Sequence, residues 1–118
     1  MSSELETALS NLQMYNQQLQ TIMMQKQTMQ LQLMELSKAD EELDNTNDDV
    51  YKSIGPILVK SSKEKLKIEI SELKEQLDLR IKSMDKQETR LKEKMKEGQQ
   101  KFQEMMSKQK NSGNIVGG

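Results

Sequence analysis

The feature that most restricts this chain is a heptad rhythm of apolar residues running without a break from Met1 to Leu43. With Leu5 as an a position, the a positions read Leu5, Leu12, Leu19, Lys26, Leu33 and Asp40. The d positions read Met1, Ala8, Tyr15, Ile22, Met29, Leu36 and Leu43, so that only Lys26 and Asp40 interrupt the seam. A 3.5-residue period held this long keeps one narrow face apolar, which predicts a helix wound left-handedly about another and rejects disorder. With 33% hydrophobic and 3% aromatic residues in 118, the chain lacks the apolar material for a thick globular core but has enough to fill such a seam.

A second helix is predicted from Ser61 to about Lys110, opened by a capping box of Ser61 with Glu64. Its seam reads Leu66, Ile70, Leu73, Leu77, Ile81, Met84, Glu88, Leu91, Met95, Gly98, Phe102 and Met105, with a stutter at Leu73, Leu77 and Ile81 that locally relaxes the supercoil. Asp78 with Lys82, Glu88 with Lys92, Glu97 with Lys101 and Glu104 with Lys108 are acid-first i, i+4 pairs on its solvated face. The two seams pair in reverse order. Leu43 is expected opposite Leu66, Leu33 opposite Leu77, Tyr15 opposite Met95, Ala8 opposite Phe102 and Leu5 opposite Met105, which is the signature of an antiparallel hairpin of helices. The fold class is therefore mainly α: a long antiparallel two-helix coiled coil over 1–45 and 61–110, with a disordered, glycine-rich tail over 111–118.

Between the helices, a polar breaker at 44–49 leads into two β-branched runs around Gly55 and Pro56. They predict a short β-hairpin over 50–60, in which Gly55 takes a positive φ and Pro56 a fixed negative one, as a type II′ turn requires. Val50, Ile54, Ile57 and Val59 fall on one face and Tyr51 and Leu58 on the other. An isolated two-stranded ribbon is marginal in water and has two unpaired edges, so this one is expected to find sheet partners. Burying five of its apolar side chains would gain roughly 8 to 15 kcal/mol before the cost of association.

Other chemistries find little footing. With no His, Cys or Trp and no glycine-rich phosphate loop, the chain lacks imidazole and thiolate chemistry and a phosphate cradle, the carboxylates sit on solvated helical faces, and no metal or cofactor is expected. No enzyme is expected. A net charge of −1 with no isolated basic cluster gives nucleic acid little purchase. Residues 1–12 show neither a basic n-region nor an apolar run, so neither a signal peptide nor a membrane span is expected, and the chain is placed in the cytoplasm.

One surface is unusual for a coiled coil. Leu9, Met14, Met23, Met24, Leu31 and Met34 lie off the seam of the first helix, where Lys26 is the one charge between Glu6 and Glu35 and glutamine dominates. Methionine is flexible and polarizable, so such a face either packs in a higher oligomer or adapts to varied apolar partners.

The arrangement of a long helix, Val50-Tyr51-Lys52, then Ile54-Gly55-Pro56-Ile57-Leu58-Val59-Lys60 and a charged long helix resembles the β-type prefoldin subunits. The glutamine-rich stretch from Tyr15 to Leu33, with Gln25, Lys26 and Gln27, and the trio Gln87, Glu88 and Leu91 strengthen the resemblance, which is most like the archaeal β class. A single hairpin fits the β class, since α-type subunits carry two. The resemblance implies an ATP-independent holdase without cofactors: a hexamer of two α and four β subunits, with a double β-barrel body and six coiled-coil tentacles that capture unfolded polypeptides and deliver them to a group II chaperonin. Carried onto this chain, Val50, Tyr51, Ile54, Gly55, Pro56, Ile57, Leu58 and Val59 become the oligomerisation element. Met1, Leu5, Leu9, Leu12, Met14, Met95, Phe102, Met105 and Met106 become the client-binding tip, and Gly98 loosens it. Lys101, Glu104 and Lys108 are then available for chaperonin docking. The competing expectation is a structural coiled-coil adaptor, whose Met-rich face is merely packed and which captures no client.

Overall fold

A computed structural model of the chain describes the backbone of residues 3–117 and the side chains of residues 3–109. Four elements follow one another: α1 (Ser3–Asn45), β1 (Val50–Ile54), β2 (Ile57–Ser61) and α2 (Lys63–Gly117). The fold is mainly α, an antiparallel pairing of two long helices with a β-hairpin between them, as the heptads predict.

Helix α1 is built from Leu, Gln, Met and Glu, strong helix formers, with no glycine or proline to interrupt them. Glu4 and Glu6 in its first turn complement the helix dipole. Every described seam position from Leu5 to Leu43 is buried or half-buried, and every other residue of α1 is exposed. The predicted period is thus the observed burial period. At the far end no basic residue lies in the last turn, but Lys63 of α2 donates from Nζ to the Asp44 carbonyl at 3.2 Å and serves one of the carbonyls that α1 leaves open.

Helix α2 starts one residue later than the sequence suggests. Ser61 is consumed by the ladder, where it pairs with Val50, and the cap is Ser62, whose Oγ accepts from Lys65 N at 3.2 Å. Three residues on from Ser62 stands Lys65 rather than a glutamate, so the reciprocal arm of the expected capping box is missing. At its other end α2 continues to Gly117, past the boundary expected near Lys110, so the backbone of 111–117 is helical where a disordered tail was expected.

The seam of α2 departs from prediction at one position. Leu73, at the stutter, is 47% exposed, while Lys67, Glu69 and Lys74 are half-buried. A four-residue step rotates the apolar line away from a strict heptad, and near the hairpin the lysine stems take part of its place.

The chain divides into two compact units: Met1–Met24 with Met84–Gly118, and Gln25–Ser83. Within the first, Gly98 lies against Leu12, and Ala8 and Tyr15 share a groove with Lys94 and Lys101, so the helices run in opposite directions. Within the second, Leu36 shares a groove with Leu73 and Leu77, and Lys67 bridges to both Asp40 and Asp44 at the end of α1. The order is again reversed.

Candidate functional site: the hairpin and the apolar surface of the first unit

The hairpin is a two-residue loop closed by Ile54 opposite Ile57. Gly55 has a φ of 55° and is, among the described residues, the one with a positive φ; Pro56 follows with its ring-fixed negative value. That is the combination a type II′ turn demands, and its twist matches the strands. The register sets Lys52 opposite Val59, Ser53 opposite Leu58 and Tyr51 opposite Lys60.

Because directly opposed residues share a face, Val50, Lys52, Ile54, Ile57 and Val59 lie on one side, and Tyr51, Ser53, Leu58 and Lys60 on the other. Lys52 Nζ reaches Glu69 of α2 at 2.8 Å, which turns the first face toward the helix at its base. Even so, Tyr51, Ile54, Ile57, Leu58 and Val59 are all exposed, Leu58 at 72%. The sheet has two strands, so each strand has one unpaired edge. Apolar side chains on both faces and open edges on both sides make this ribbon an incomplete piece of sheet.

Its footing is ionic. Lys67 is held by Asp40 at 3.6 Å and by a hydrogen bond to the Asp44 carboxylate, and Lys63 also lies near Asp44. The Lys67 hydrogen bond holds the Asp44 carboxyl below the usual aspartate range, and the same bond raises Lys67 above the usual lysine range. Sequence reading missed this knot, although Asp40 at an a position was its one visible sign. It also missed the tie between Lys52 and Glu69, which nothing in the heptad pattern announces.

In the first unit the expected tip residues separate into two groups. Leu5 is 1% exposed, the most buried side chain described, and Leu12, Met95, Phe102 and Met105 are half-buried in the seam. Leu9, Met14 and Met106 are 43–49% exposed and form the accessible part. Met1 lies outside the described residues. Of the four expected charge pairs on α2, Glu88 with Lys92 forms at 2.9 Å; among the described residues Asp78, Glu97 and Glu104 form no ion pair, since exposed lysines gain little by leaving water.

Two helices joined by an exposed hairpin form a fold with solved counterparts. The crystal structure of the prefoldin β subunit from Thermococcus strain KS-1 aligns with a TM-score of 0.81 and 36% identity over 88% of this chain and 93% of that one. Prefoldin subunit beta of Pyrococcus furiosus is 40% identical across 85% of this chain and 87% of its own length, and that of Archaeoglobus fulgidus 38% identical across 90% and 93%. The sequence profile of the family described as prefoldin subunit matches residues 6–109, and the chain belongs to that family. Among the described residues no helix is long and apolar enough to cross a membrane.

Proposed function

We propose that this chain is the β-type subunit of an ATP-independent, non-catalytic cytoplasmic holdase, a hexamer of two α and four β subunits. The hairpin completes its sheet with strands of sister and α-type subunits, and the paired ends of α1 and α2 hold unfolded polypeptide for delivery to a group II chaperonin. The observation that carries the reading is the ribbon itself. Its exposed Tyr51, Ile54, Ile57, Leu58 and Val59 on two faces, between two open edges, are unaccounted for in a lone chain. Family membership supports the same assembly.

Client capture rests on the first unit. Exposed Leu9, Met14 and Met106 offer adaptable apolar contact, and contacts of this size are individually weak. Several arms brought together by one body multiply them, since the second and later contacts are made at high effective concentration. The seam residues Leu5, Leu12, Met95, Phe102 and Met105 join the contact surface when the helix ends part.

Mixing the chain with an α-type subunit and following light scattering of a denatured client tests the reading. A stable hetero-oligomer that suppresses scattering at stoichiometric amounts is expected. Scattering unchanged by an assembled complex would end the holdase reading.

A further inference from the structure

In the first unit a groove of ≈ 620 Å³ runs between α1 and α2. Ile22 and the 8%-exposed Leu91 form its floor, and the half-exposed Met14 lines the α1 side. The α2 wall carries Arg90 and Lys94, four residues apart and so about one helical turn from each other. Among the described residues neither cation sits in an ion pair, although Glu93 stands near Arg90 and Glu97 near Lys94 on the same helix. Lys94 rests 5.9 Å over the Tyr15 ring rather than on a carboxylate. The facing helix supplies no acid, because Lys26 is the one charge of α1 between Glu6 and Glu35.

An apolar floor beside two cations that, among the described residues, hold no ion-pair partner is matched by a partner that carries apolar side chains and carboxylates close together. We infer that this groove selects, among unfolded polypeptides, segments in which apolar residues are followed within a turn by Asp or Glu. The apolar side chains lie on Ile22, Leu91 and Met14, and the carboxylates meet the Lys94 ammonium and the Arg90 guanidinium, whose planar fork takes a carboxylate in bidentate fashion. The inference rests on the holdase reading and gives it a client class. Nucleic acid fits the same cations but not the rest of the groove: Tyr15 is half-buried beneath Lys94, which leaves no open aromatic face for a base.

The test uses the assembled complex of this chain with an α-type subunit. Dye-labelled unstructured peptides that share one apolar pattern and differ only in carrying Glu, Gln or Lys are titrated by fluorescence anisotropy. The Glu peptide is expected to bind about three- to tenfold more tightly than the Gln peptide, and the Lys peptide most weakly. The preference fades at about 0.5 M salt, disappears in the Arg90→Gln/Lys94→Gln complex and is kept by Lys94→Arg. Equal affinities of the three peptides for the unmodified complex, or a preference that outlives both Gln substitutions, would overturn the inference. So would displacement of the Glu peptide by an unstructured RNA oligonucleotide of equal affinity. Light scattering of a neutral apolar client is followed alongside. Suppression without a charge preference sinks the groove inference alone, whereas no suppression sinks the holdase reading beneath it.

Discussion

Gly98 of α2 lies so close to Leu12 of α1 that a Cβ on the glycine would stand 2.9 Å from Leu12 Cδ2. Glycine at this seam position costs helix stability but lets a leucine from the facing helix come in close. Gly98→Ala therefore has two opposed effects: about 1 kcal/mol of recovered helix propensity against displacement of the flexible end of Leu12. Urea denaturation followed by circular dichroism is expected to find Gly98→Ala within about 1 kcal/mol of the parent, and clearly more stabilising when Leu12 is already Ala. Additive effects in that cycle would mean the two residues do not share the space.

The split among the tip residues separates the two functional readings. Leu5→Ala should lower stability by about 2 kcal/mol or more, as deletion of a fully buried leucine does. Replacing the exposed Leu9, Met14 and Met106 by Ser should leave melting and assembly nearly unchanged while client capture falls. If the triple variant instead fails to assemble, by native mass measurement, the packed-adaptor reading gains and the holdase reading loses.

The knot under the hairpin predicts a pH dependence of definite sign. Asp44 has a folded-state pKa below its unfolded value, so its contribution is present above the unfolded value and lost as pH falls through the folded one. Lys67 is raised, so its contribution is complete below the unfolded lysine value and lost as pH rises through the folded one. Both side chains are partly exposed, so the effect is small and screened by salt. Melting curves across acid pH should show a shallower decline for Asp44→Asn than for the parent, and Lys67→Met should flatten the acid and alkaline limbs together. An unaltered slope in both variants would remove the knot from the account.

At the hairpin, Gly55→Ala meets no neighbour within 4 Å, so its penalty is purely that of a positive φ, about 1–2 kcal/mol. Leu58→Asp leaves the turn intact but places a charge on the exposed apolar face. Both should keep the helical signal and weaken association with an α-type subunit, Leu58→Asp the more severely. Native mass spectra with undiminished hetero-oligomer would count against assembly through this ribbon.

Much of the fold was legible because a coiled coil writes its burial into its sequence at a fixed period. On α1 the pattern translates residue by residue, from Leu5 to Leu43. It blurred on α2 where the period changed: Leu73 sits at the stutter and turns half outward, and the nearby lysine stems are sheltered by contacts between elements rather than by local rhythm. The helix start slipped by one because Ser61 and Ser62 are chemically alike, and the ladder register, which local propensity does not encode, decided between them. The hairpin was readable from Gly55, which permits a positive φ, and Pro56, which fixes a negative one. The groove beside Arg90 and Lys94 was not, since charges on one helix and methionine on another become neighbours only once the helices are laid side by side.

The bare rims of the ribbon also bear on supply. In the assembly proposed above, a copy made in excess of its companions keeps open strand edges that can template whatever extended segment arrives next. Surplus copies are exposed to fibrous self-association or to proteolysis, so production of such a subunit has to keep pace with that of its mates.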